Sequence, residues 1–221
     1  MRRIVATLTL VTLVMLAGGS ALAQSSAVPP GTTPQPAEDA DGTRWSGSVS
    51  VYTYLLPDEK NYAQPTVSLD RDWLHLEGRV NYEDLSTGSA WAGYNFSVGH
   101  ALTFEISPMV GAVFGDTTGV GLGYTGSLAW RNVDLSSETE FVFDAETSAD
   151  NFLYTWSEIG WTPVSWLRTG LAVQRTKVYQ TEFDIQRGVF AAVSLRRADI
   201  SAYVFNPDAS PTVVLGVSLA F

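Results

Sequence analysis

The chain has 221 residues, 45% of them hydrophobic and 12% aromatic, no Cys, and a formal net charge of −10. The lack of Cys excludes disulfides, thiolate metal sites and a cysteine-linked lipid anchor at the N-terminus. The acidic balance argues against a nucleic-acid partner, because phosphate binding needs a basic surface, and Lys is nearly absent, which is unusual for a soluble acidic protein.

Residues 1–23 read as a signal peptide. Arg2 and Arg3 give a basic start, Ile4 to Leu16 an apolar run, and Ala21-Leu22-Ala23 a small-x-small cleavage site. The run is shorter than the roughly 20 residues a membrane-spanning helix needs. The mature chain is expected to begin at Gln24. Residues 24–43, QSSAVPPGTTPQPAEDADGT, hold too little apolar surface to fold and are expected to be a disordered, Pro-rich periplasmic linker. Residues 44–221 are expected to form one domain.

From Arg44 onward the dominant period is two. In 91–99, Ala92, Tyr94, Phe96 and Val98 share one face, while Trp91, Gly93, Asn95 and Ser97 share the other. In 101–115, Leu102, Phe104, Ile106, Pro108, Val110, Ala112 and Phe114 alternate with Thr103, Glu105, Ser107, Met109, Gly111, Val113 and Gly115. This is strand pattern, and no helical period competes with it. Strands are expected at 45–56, 66–70, 72–83, 88–98, 101–114, 118–130, 132–143, 151–161, 164–177, 184–196, 198–206 and 212–221. That is about twelve, mostly near the 9–11 residues of a tilted transmembrane strand. Without the short 66–70 segment the count falls to about ten. Pro108 interrupts a good strand and is expected at a bulge or kink.

The connections alternate in length. The longer ones contain PDEKNYAQP, ETSADN, YQTEF and PDASP; tight turns are expected near Arg71, Gly99-His100, Asn132, Thr162-Pro163 and Arg196-Arg197. Long external loops and short periplasmic turns produce such a pattern, and an even strand count puts both termini in the periplasm. Trp45, Trp73, Trp130, Trp161 and Trp166 fall near the tight-turn ends, where an aromatic girdle would meet the membrane interface.

The last segment, TVVLGVSLAF, places Val213, Leu215, Val217, Leu219 and Phe221 on one face. With the leader and the repeated alternation, this ending resembles the bacterial outer-membrane β-barrel proteins, a porin-like class. The resemblance covers about 44–221. It implies an all-β fold, a closed antiparallel transmembrane barrel of about twelve strands, set in outer-membrane lipid. It also implies that the final strand, with Phe221, is the signal read by the barrel-assembly machinery. It points to no particular functional family.

Parity assigns the faces. In 73–83, Leu74, Leu76, Val80 and Tyr82 are expected toward lipid; Trp73, His75, Glu77, Arg79, Asn81 and Glu83 are expected inward. Glu105, Asp134, Glu138, Glu140, Glu158, Arg168, Gln174, Gln186 and Asp199 are further inward candidates. Charges at membrane depth are tolerable inside a barrel, where water or counter-charges meet them. Acids outnumber bases in this set. The groups would either line a narrow channel for small polar or cationic solutes, or pair as a salt-bridge plug joining Arg79, Arg168, Arg175 and Arg187 to the carboxylates. Arg175 and Arg187 lie on the lipid-facing parity.

An enzyme is less well supported. There are two His, no GxSxG motif, and no His–Cys set for a metal. His100 falls in a tight turn, and His75 points inward. Glu138 and Glu140 are same-face neighbours of the kind a glycosidase uses, but a charged interior produces such pairs without catalysis. No cofactor is expected. The reading is a small outer-membrane channel, with a closed structural or interaction barrel as the alternative.

Overall fold

A computed structural model describes residues 44–57, 60–146, 151–177, 184–208 and 210–221. The expected leader and linker, 1–43, lie outside the described residues. The strands are β1 (Ser46–Leu55), β2 (Tyr62–Arg71), β3 (Leu74–Val80), β4 (Thr87–Tyr94), β5 (Phe96–Gly99), β6 (Leu102–Gly115) and β7 (Gly119–Trp130). They continue as β8 (Val133–Asp144), β9 (Phe152–Val164), β10 (Leu167–Lys177), β11 (Asp184–Leu195), β12 (Ala198–Phe205) and β13 (Thr212–Ala220).

All form one antiparallel 13-stranded sheet. It closes on itself through β1–β13 and β4–β6. The short β5 continues β4 along the same partner, β6, so the two share one place in a twelve-membered ring. Closure removes the unpaired edges that neither lipid nor a dry interior could satisfy.

Alternation decides the two surfaces. Val110, Leu122, Ile159, Leu171 and Val189 project outward and are exposed; the same strands turn Met109, Thr125, Glu158, Ala172 and Phe190 inward and buried. Trp45, Trp73, Trp130, Trp161 and Trp166 are all about half exposed and ring the tight-turn end. The outer belt also carries polar pairs, Ser137–Ser157 at 3.0 Å and Thr139–Thr155 at 3.2 Å, whose hydroxyls satisfy one another across β8 and β9.

Four local expectations are revised. The second strand runs over ten residues, Tyr62–Arg71, not 66–70. Pro65 had marked this stretch as loop, but it lies one residue beyond the last β2–β3 pair, Thr66↔Arg79. Pro108 produces no bulge. The β4–β6 and β5–β6 pairs keep one register, and only the two pairs at Tyr94–Pro108 and Asn95–Ser107 are missing: proline has no N–H to give, and Asn95 N donates to Trp73 O instead. The ninth strand runs through the expected Thr162-Pro163 turn to Val164; the turn is Ser165-Trp166, and an irregularity between Leu167 and Thr169 absorbs the shift. Finally, two faces are reassigned: Trp73, expected inward, is 52% exposed at the rim, in the turn that the left-handed Asp72 makes before β3, and Tyr82 is buried rather than lipid-facing. Asn81 adopts a left-handed φ of 55°, which ends the alternation of β3 and sends both Tyr82 and Glu83 inward.

Candidate functional site

Two charged networks occupy the barrel interior. The first grows from the alternation of β3, which puts His75, Glu77 and Arg79 on one inward row. Asp70 of β2 pairs in register with His75, and its Oδ1 lies 2.8 Å from His75 Nδ1. His75 Nε2 lies 3.0 Å from Glu77 Oε1. Both ring nitrogens therefore face carboxylates, which leaves neither to activate a serine. Arg79 donates from Nε to Glu77 Oε2 at 2.6 Å and from Nη1 to Glu140 Oε2 at 2.7 Å; its Nη2 lies 3.1 Å from Glu138 Oε1. Tyr82 donates its hydroxyl to the same Glu138 oxygen at 2.6 Å.

The Arg79 guanidinium is also held between rings, with Cζ 4.4 Å from the Tyr82 centroid and 5.0 Å from that of Trp91. Trp91 lies across the inner faces of β6 and β7, where a Cβ at Gly111 or Gly121 would strike its indole. These glycines supply the floor on which the arginine stack is built. Trp91 Nε1 donates to Ser89 Oγ at 3.0 Å.

The second network centres on Arg168 of β10. It chelates Asp134 of β8, with Nε 3.1 Å from each carboxylate oxygen and Nη2 bonded to Oδ2, and donates from Nη1 to Glu158 Oε2 at 2.6 Å. Gly160 lies where any Cβ would collide with the Arg168 guanidinium and Asp134. Trp156 Nε1 donates to Glu158 Oε1 at 2.8 Å, and the Trp156 ring meets Tyr203 and Phe205 edge-on at 5.1 Å.

Eight of the expected interior residues thus fall into two groups: His75, Glu77, Arg79, Glu138 and Glu140 in one, and Asp134, Glu158 and Arg168 in the other. Asn81 is half-buried at the end of β3, where Nδ2 donates to Ala63 O and Oδ1 accepts from Ser86 N. Glu105 is half-buried and accepts from Ser127 Oγ at 3.3 Å. Gln174 is half-buried, opposite Gln186. Glu83 is 4% exposed, and neither of its carboxylate oxygens has a hydrogen-bond partner among the described residues. Arg175 and Arg187 do not join the interior. Arg187 is exposed outward beside Val173, and Arg175 keeps the outward parity opposite Ile185.

Asp70, Tyr82 and Trp91 were not expected in the network, nor were the rings that fill the rest of the interior: Tyr52, Tyr54, Tyr154, Trp156, Tyr203 and Phe205. The signal was present in VYTY, YTW and YVF, where aromatics alternate on the parity opposite to the aliphatic residues. The small wall residues Ser68 and Ser136 are also buried, each 5% exposed.

No protein-family model matches the chain, and no curated protein matches it. Solved structures do. A KdgM porin is 14% identical with a TM-score of 0.59, covering 79% of this chain and 99% of that one. A KdgM porin in complex with disordered oligogalacturonate is likewise 14% identical, with a TM-score of 0.60 and the same coverage. A structure described under "Unveiling the Mechanism Behind the in-meso Crystallization of Membrane Proteins" is 10% identical with a TM-score of 0.53, covering 80% of this chain and 83% of that one. At such identities the likeness is one of fold. A closed antiparallel barrel is the fold the chain shares with these KdgM porin structures, and its outer surface, apolar and ringed by tryptophan at one end, suits a membrane.

Proposed function

We propose that the protein is a narrow outer-membrane channel that prefers cations and small polar solutes, constricted in this conformation by its Arg79 and Arg168 networks. The observation that carries the reading is the surplus of carboxylates inside. Asp70, Glu77, Glu83, Glu138, Glu140, Glu158 and Asp199 are buried, against Arg79, Arg168 and His75. Both oxygens of Glu83, Oε2 of Glu138 and Oε1 of Glu140 lack hydrogen-bond partners among the described residues. A permanently dry interior would leave these charges uncompensated at a cost of several kcal/mol per ion. Water and mobile cations offset that cost, and both belong to a conducting path. An oligogalacturonate is a polycarboxylate, so an acid-rich interior disfavours it as a solute here.

The orientation follows from the same reading. Ser46 and Ala220 both lie at the tight-turn end, which we take as periplasmic, with the 24–43 linker beyond it. The terminal strand would be the segment read by the barrel-assembly machinery.

Single-channel recording of the purified protein in planar bilayers tests the proposal. Cation-preferring current supports it. Silence across salts and voltages would overturn it in favour of the second reading, a closed structural barrel, which the buried aromatic cluster of the interior supports.

A further inference from the structure

The tight-turn rim carries its positive charge unevenly. In ring order β3-β2-β1-β13-β12-β11, the arc around the closing seam holds four arginines: Arg71 ending β2, Arg44 before β1, and Arg196 and Arg197 in the β11–β12 turn. The other tight turns, 100–101, 131–132 and 165–166, add only Arg131. Backbone bonds make the arc continuous. Ala220 N donates to Arg197 O at 2.9 Å, Phe221 and Gly47 exchange bonds of 2.9 and 3.0 Å, and Ser46 lies opposite Asp70. From β12 to β2 this is three strand spacings, about 15 Å across the strands. All four arginines are exposed, and none is in an ion pair among the described residues. Asp70 and Asp199 turn inward and are buried, which leaves Asp72 as the exposed acidic side chain of the arc. The turn itself does not ask for arginine: Arg196 has a left-handed φ of 58°, which Asn and Gly adopt far more readily. Arg71 Cζ lies 5.6 Å from the Trp45 ring centroid, and Trp45, Trp73 and Phe221 are exposed along the same arc. Such rings mark the level where hydrocarbon gives way to headgroups, so these guanidiniums stand at the depth of lipid phosphates. The opposite end reverses the sign, with Asp84, Asp116, Glu146 and Asp208 exposed against Lys60 and Arg187.

We propose that the arc of Arg44, Arg71, Arg196 and Arg197 is a docking surface for the anionic headgroups of phospholipids at the closing seam of the barrel. This rests on the chain being a membrane barrel and does not depend on whether the barrel conducts. A guanidinium meets a phosphate through two parallel N–H···O bonds, and no carboxylate of the described residues competes for these four. A headgroup with net negative charge is preferred over a zwitterionic one, whose own cation would face the arginines. The acyl chains have a wall to lie on: Val67, Val49 and Leu219 stand side by side in register across β2, β1 and β13, all exposed outward.

The test places the full mature protein in phosphatidylcholine vesicles with a trace of spin-labelled phosphatidylglycerol or, separately, of spin-labelled phosphatidylcholine. Electron paramagnetic resonance reads how much of each label the protein surface immobilises. The expected result is an association constant for phosphatidylglycerol about threefold or more above that for phosphatidylcholine, with the ratio falling as salt is added. The triple variant Arg71→Gln, Arg196→Gln, Arg197→Gln should bring the ratio close to one, while Arg131→Gln keeps most of the preference. Heat-modifiable gel migration checks that the variants are folded. Should the triple variant fail to assemble, Arg44→Gln with Arg71→Gln is the second variant, expected to remove about half of the preference. Equal retention of the two lipids, an undiminished preference in the folded variants, or an equal loss in Arg131→Gln would overturn the docking surface. So would loss of the preference on adding inorganic phosphate at constant ionic strength, which would mean that the arginines take a free anion. Cation current without lipid preference would overturn the docking surface alone; lipid preference with silent bilayers would overturn the channel alone.

Discussion

Arg79 and Glu140 stand 61 residues apart in sequence, on strands β3 and β8 that do not touch in the sheet, and meet inside the barrel at 2.7 Å. This bond, with that to Glu138, ties β3 to a strand four places away around the ring.

Replacing Arg79 is therefore expected to cost far more than a surface ion pair. Arg79→Met leaves Glu77, Glu138 and Glu140 without their shared cation and should lower stability by about 3–5 kcal/mol, the cost of breaking a buried pair. Denaturant unfolding in micelles measures it. Adding Glu138→Gln and Glu140→Gln should recover part of the loss, because the stranded charges go with the arginine. A loss under about 1 kcal/mol would mean that the bridge is solvated.

Gly160 gives a test of the second network. Gly160→Ala places a methyl group against the Arg168 guanidinium and Asp134. Overpacking of this kind costs about 1–3 kcal/mol, again read by denaturant unfolding. The equivalent change at Gly78, where a Cβ would meet nothing within 4 Å, should leave stability unchanged or slightly raised.

The seven tryptophans should divide by lipid access. Trp73, Trp130, Trp161 and Trp166 are 51–54% exposed at one rim, and Trp45 is 49% exposed there; Trp91 and Trp156 are 3% and 1% exposed inside. Single-Trp variants reconstituted with brominated lipid should show strong quenching for the rim set and little for Trp91 or Trp156. Strong quenching of Trp91 would place it outside the barrel and undo the Arg79 stack.

Phe221 closes the ring. Its backbone N–H donates to Gly47 O at 2.9 Å and its carbonyl accepts from Gly47 N at 3.0 Å, while the ring stands outward, 62% exposed. Phe221→Asp puts a charge in the outer belt beside the closing seam. Much less heat-modifiable barrel in the membrane fraction is expected, with Phe221→Trp near normal. Normal assembly of Phe221→Asp would contradict a role for this end in biogenesis.

Much of this was readable from period two alone. The row His75–Glu77–Arg79 and the row Asp134–Ser136–Glu138–Glu140 follow from alternation, because one wrong residue would turn every charge toward lipid. Which charges meet was not readable. The 61-residue separation of Arg79 and Glu140 is fixed by ring order, which no local pattern encodes. Alternation also fails wherever φ changes sign, so the left-handed Asn81 hid the inward turn of Tyr82. Pro65 and Pro163 misled for a different reason. Proline forbids one donated bond, not a strand, and both sit where that bond is not needed or where the strand is ending. The aromatic filling was not drawn because inward positions were chosen by their charges; the parity of the rings in VYTY and YVF, opposite to that of their aliphatic neighbours, already placed them inside.

The most direct test is the reversal potential of the purified protein in a planar bilayer under a potassium chloride gradient. A conducting, acid-rich interior predicts a potential on the cation-selective side, moving toward zero in Glu83→Gln and in Glu140→Gln. A silent bilayer, or an anion-selective potential, would contradict the account.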